Sequence, residues 1–141
     1  MYRVLVAIDS DQQRAERTAD AISAFPGELD DLEVTILNIF EEVEIDDEGG
    51  TYRSREVYNE ADLPDSVSTA KEILEKQGIS VTVRRDHGDP AEKIISVANE
   101  IGADTIALTG RKRSPTGKVL FGSVTQSVLL SANQPVHVVI E

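Results

Sequence analysis

The chain has no cysteine, and that absence removes disulfides, thiolate metal sites and thiol nucleophiles together. Aromatic residues are scarce, at 4% with no tryptophan, so any core built from this chain has to be aliphatic. Positive charge is scarce as well: 14 Lys and Arg stand against 26 Asp and Glu, a formal charge of −12. Such a surface repels phosphate backbones and anionic lipid heads, which excludes non-specific binding to nucleic acid or to a membrane. No apolar run approaches membrane-spanning length, and Met1-Tyr2-Arg3-Val4 runs directly into a strand pattern with no signal-peptide region. A cytoplasmic protein is expected.

What is present reads as alternating strands and helices. At 141 residues the chain suits one well-cored domain, residues 1–141. Arg3 to Asp9 is a nearly continuous apolar run, the pattern of a strand buried on both faces of a parallel sheet. Ser10 stands three residues before Gln13, a capping-box spacing, and Ala15, Thr18, Ala19, Ile22 and Phe25 follow at helical intervals until Pro26-Gly27. Glu33 to Phe40 is a second strand. Periodicity is then lost around Asp46-Asp47-Glu48-Gly49-Gly50, which marks a loop insertion at about 41–63. A helix from about Asp65 to Gln77 ends at Gly78, and Ile79 to Arg84 alternates as an edge strand would.

Asp89-Pro90-Ala91-Glu92 supplies an N-cap, a proline at the first helical position and a capping glutamate for a helix that Gly102 ends. Asp104 to Thr109 is the next strand, Ser123 and Gln126 form another capping-box pair, and Val136 to Ile140 is the last strand. Strands alternating with helices imply an α/β fold, with a parallel sheet, right-handed crossovers and helices on both faces. Ligands in such sheets bind beyond the carboxyl ends of the strands, and Asp9 and Gly110 read as lying just past two of them.

The strongest local departure from the acidic background is a cluster of cations, Arg111, Lys112, Arg113 and Lys118, between Gly110 and Gly122-Ser123. A strand, a glycine-bearing loop and a helix start in succession make a phosphate-site layout, because helix N-terminal amides and the helix dipole favour an anion. The same cations would also serve as a solvated loop paired with the acidic surface. Ser123 reads as an N-cap whether or not phosphate binds, and Asp9 reads either as a helix cap or as a ligand contact.

Three stretches resemble the universal stress protein family: Val4-Leu5-Val6-Ala7-Ile8-Asp9-Ser10, His87-Gly88-Asp89-Pro90-Ala91-Glu92-Lys93-Ile94, and Ala103 to Gly110 leading to Phe121-Gly122-Ser123-Val124-Thr125. With Gln134-Pro135-Val136-His137-Val138-Val139, the resemblance covers nearly the whole chain. It implies a three-layer α/β/α sandwich of the adenine nucleotide alpha hydrolase-like kind, with strand order 3-2-1-4-5. It further implies a homodimer through the last strand, for which Val136, Val138 and Ile140 offer an apolar edge. The two histidines, His87 and His137, then fall on opposite edges and cannot share a metal.

The resemblance also implies an ATP-binding, stress-responsive protein, with Mg²⁺ only as a companion of the nucleotide. By position, Ala7 and Asp9 would lie beside base or ribose, Ile39 would pack on the adenine, Thr109 and Gly110 would line the ribose-phosphate path, and Gly122, Ser123 and Val124 would meet the terminal phosphates. Nucleotide-binding members carry a glycine, two residues, a second glycine, nine residues, then glycine and Ser or Thr. Here the loop is one residue shorter, and Lys112 or Arg113 stands where the second glycine belongs. Gly117 is then a displaced equivalent, with Arg111 and Arg113 as phosphate partners. The rival reading is an interaction or scaffold dimer that keeps the fold without the nucleotide. No serine has a histidine and an acid at a nucleophile's spacing, so the chain is not assigned as an enzyme, and slow ATP turnover stays open.

The acid-rich composition points to a source of high ionic strength, a halophilic archaeon, because salt relieves self-repulsion. The thermal midpoint is expected to rise in molar KCl. A midpoint that stays level across the salt series would count against it.

Overall fold

The computed structural model describes residues 1–40, 63–112, 119–120 and 122–140. Strand β1 (Tyr2–Ala7) lies at the centre of a parallel sheet, between β2 (Leu32–Phe40) and β4 (Thr105–Lys112). Strand β3 (Ser80–His87) is the edge beyond β2, and β6 (Val136–Ile140), the last strand, is the edge beyond β4. The parallel order is therefore β3-β2-β1-β4-β6, the 3-2-1-4-5 arrangement expected for five strands. His87 and His137 sit on these opposite edges.

Helices α1 (Gln12–Ser23) and α2 (Asp65–Lys76) cover one face, α3 (Pro90–Ile101) and α4 (Ser123–Ser131) the other. Successive strand side chains point to opposite faces, so a strand covered on both sides must be apolar throughout. Val4, Val6 and Ile8 pack under α1 and α2 with Val34 and Ile36, against Ala19, Ile22, Ala70 and Leu74. Leu5 packs the other way with Leu37, Ile106 and Leu108, against Ile94, Val97 and Ala98 of α3 and Val128 of α4. Among the described residues the largest fully buried side chains are Leu, Ile and Val, as the lack of aromatics required.

Two helix ends follow the sequence pattern. The Asp89 carboxylate accepts from the Glu92 amide with Pro90 beginning α3, and Gly102 ends that helix in the left-handed conformation, at φ +65°. Other boundaries differ. Ser10 does not cap α1; the Asp9 carboxylate accepts from the Asp11 amide, which turns the chain once more, and Asp11 becomes the N-cap, accepting from the Arg14 amide. Strand β3 runs on to His87 because it keeps pairing with β2 as far as Phe40.

Strand β4 runs past Thr109 to Lys112, since a short β5 (Val119–Leu120) pairs antiparallel with Arg111 and Lys112. Gly110 accordingly lies within β4, opposite Ile140, and not beyond a strand end. Residues 41–62 of the expected insertion lie outside the described residues. Among the described residues no helix is long and apolar enough to cross a membrane.

Ile22 is wholly buried, whereas Leu130 on α4 is 85% exposed. Ile22→Ala is expected to destabilise the fold by about 2–5 kcal/mol and Leu130→Ala by less than about 0.5 kcal/mol. Urea midpoints at unchanged slope measure both, and equal losses would contradict this core.

Candidate functional site

β1 is the switch point of the sheet: the chain leaves it toward the α1 face, and leaves β4 toward α4 on the opposite face. The diverging connections open a crevice at the carboxyl ends of the strands. Its volume is about 410 Å³, within the range of small-molecule sites. It is lined by Ala7, Ile8 and Asp9 after β1, Leu37 and Ile39 of β2, Leu108 and Thr109 of β4, and the first turns of α1, α3 and α4.

Side chains from two other elements pin the turn after β1. Buried Asn38 donates through Nδ2 to the Ile8 carbonyl at 2.9 Å, and buried Ser66 donates through Oγ to the Asp9 carbonyl at 2.5 Å. The Asp9 carboxylate accepts from the Asp11 amide at 2.9 Å and lies 3.5 Å from Nη1 of Arg14, so Asp9 is held at both its backbone and its side chain. Nη2 of Arg14 reaches the Asp11 carboxylate at 3.2 Å. The Arg14 amide at this cap, foremost, and then the Arg14 guanidinium hold the Asp11 carboxyl below the usual carboxylate range, against the opposing effect of burial.

On the far wall, Thr18 donates its hydroxyl proton to the Arg14 carbonyl at 2.7 Å. The 3.0 Å contact between the Thr18 and Thr109 hydroxyls is therefore donated by Thr109. Thr125 donates to the Thr109 carbonyl at 3.2 Å, which ties the first turn of α4 to the end of β4.

That first turn is open. Gly122 is the N-cap, extended at φ −65° and ψ 165°, and among the described residues no side chain caps the helix. Ser123 is thus a helical residue and not the expected cap: capping needs a side-chain oxygen on the extended residue, and glycine has none. A Cβ built on Gly122 meets nothing within 4 Å.

Of the residues singled out in the sequence, Ala7, Asp9, Ile39, Thr109, Gly122, Ser123 and Val124 line this cleft together. Gly110 does not; it is buried in β4. Arg111 pairs with Leu120 in the hairpin, and Arg113 and Gly117 lie outside the described residues. Arg14, Pro90, Ile94 and Thr125 also line the cleft without having been picked out as site residues. Pro90 and Ile94 were legible only as a helix start and a core position, and Arg14 as one more polar residue of α1. Among the described residues no group of three His, Cys, Asp or Glu is placed to hold a metal.

The model of the universal stress protein family matches residues 1–139. The chain belongs to this family. Within it, stress response protein NhaX of Bacillus subtilis is 34% identical over 73 residues, 52% of this chain and 44% of that protein. The chain thus matches under half the length of this relative. A universal stress protein of Archaeoglobus fulgidus shares the fold over 99% of this chain and 98% of its own, at 28% identity and a TM-score of 0.75. A universal stress protein from the same organism, solved in complex with dAMP, covers the same shares at 23% identity and a TM-score of 0.70.

Because folding lowers the Asp11 pKa, its contribution to stability is complete above the ordinary aspartate range and is lost as pH falls through the lowered value. Asp11→Asn keeps a capping oxygen but cannot titrate. Its acid limb of stability against pH is expected to be shallower than that of the wild type, as read by denaturant unfolding across an acid series. Superimposable limbs would show that the cap carries no linked proton.

Proposed function

We propose that the cleft binds an adenine nucleotide, ATP included, and that the protein acts through nucleotide-dependent binding. One observation carries this reading: the uncapped start of α4 opens onto the same cleft as Asp9 and Ile39. The first-turn amides, which no side chain caps among the described residues, and the positive end of the α4 dipole suit phosphate oxygens, and Gly122 leaves room for them to approach. Apolar Ile39, Leu37 and Ala7 suit the face of a base, and the Asp9 carboxylate suits its amino group or the ribose hydroxyls. The relative of this fold solved with dAMP supports the same ligand class.

Mg²⁺ would enter with a triphosphate, held mainly by the phosphates. Asp9 is the one carboxylate among the described lining residues, and Arg14 and the Asp11 amide already engage it. That favours binding over hydrolysis, which needs a base free to orient water. The outer edge of β6, which pairs with no second strand among the described residues, carries Val136, Val138 and Ile140 and suits pairing with a second copy into a homodimer. A cytoplasmic setting agrees with such a ligand.

Calorimetric titration with ATP and AMP in high KCl is expected to show saturable binding, and denatured protein is expected to release adenine nucleotide. Gly122→Val is expected to lose that binding with its thermal midpoint nearly unchanged, since the added side chain projects into open cleft. No heat from the wild type at millimolar ATP would overturn the proposal.

A further inference from the structure

We infer that Arg14 sets the charge the cleft will accept, admitting a phosphorylated ligand beside Asp9. The inference rests on the nucleotide reading above and names the residue that separates a nucleotide from its uncharged nucleoside.

Among the described lining residues only Asp9 and Arg14 carry charge. In a chain of net charge −12, an unopposed Asp9 would add a negative charge to the cleft and weaken its hold on an anion. Arg14 prevents this. Its Nη1 lies 3.5 Å from the Asp9 carboxylate, whose side chain is 59% exposed, and its Nη2 lies 3.2 Å from that of Asp11, while only 18% of the Arg14 side chain is itself exposed.

Local structure gives the Arg14 guanidinium one partner within the helix start, the Asp11 carboxylate at 3.2 Å, and otherwise disfavours a cation at this position. Arg14 is the third residue of α1, in the first turn, where the helix dipole disfavours a cation. The Asp11 cap uses the backbone amide of Arg14, which any residue but proline would supply. Nε of Arg14 is buried without a hydrogen-bond partner among the described residues, a further local penalty. A side chain kept against two such penalties, in the wall of the candidate site, fits a role in the site better than one in the helix.

The readout is selectivity, the ratio of AMP to adenosine affinity, measured by calorimetry in low salt where screening is least. Arg14→Gln is expected to lower that ratio about tenfold, through AMP and not adenosine, for removal of one nearby unit charge. Arg14→Lys retains the charge and is expected to keep the ratio within about twofold. The double variant Asp9→Asn with Arg14→Gln removes both charges and is expected to recover the wild-type ratio, whatever happens to the absolute affinities. A proportional loss for both ligands in Arg14→Gln, or no recovery in the double variant, would make Arg14 a structural residue only and overturn the inference alone. A wild type that binds neither ligand would overturn the nucleotide reading, and this inference with it.

Discussion

The site depends first on two buried donors that hold two backbone carbonyls. At the end of β1 the parallel ladder runs out, and the buried carbonyl of Ile8 and the part-buried carbonyl of Asp9 would be left with no strand partner. Asn38 and Ser66 satisfy them from β2 and α2, elements that join the chain at very different points. A buried carbonyl left unmet costs about 1–3 kcal/mol, so these bonds decide how the chain leaves the sheet. Where it leaves decides where Asp9 points, and Asp9 in turn fixes the extra turn that makes Asp11 the cap of α1. Fold and site meet at this turn.

Most of the architecture was legible in the sequence because its signals are periodic and local. Continuous apolar runs marked strands buried on both faces, and Asp89-Pro90 with Gly102 marked the limits of α3. The two misplaced helix caps share one cause. A capping box is a spacing, and spacing does not say which residue is extended. At Ser10 the extra Asp9 turn moved the cap one residue onward, and at Ser123 the extended residue is the preceding glycine. Gly110 seemed to end a strand because glycine usually does, but pairing with residues 119–120 prolongs β4 through it.

The candidate site was legible to the extent that its residues occupy strand ends, as Asp9, Ile39 and Thr109 do. Arg14 was not, since a charged residue in a polar helix turn looks the same whether it faces water or a cleft. Asn38 and Ser66 were hidden for the opposite reason: each sits among residues whose pattern alone accounts for the element, and their partners are backbone atoms that carry no sequence signal.

The central pairing of the sheet carries a consequence for how the molecule is made. Arg3 and Asp104 exchange hydrogen bonds across a separation of 101 residues, since the Asp104 amide donates to the Arg3 carbonyl and the Arg3 amide donates to the Asp104 carboxylate. The wall that β4 gives the cleft therefore has no counterpart in a partly synthesised chain. The first three strands can associate before β4 has been synthesised, but the crevice itself comes into being only when β4 docks against β1. Closing so distant a contact is slow compared with helix formation, so the cleft is among the last features to acquire its shape.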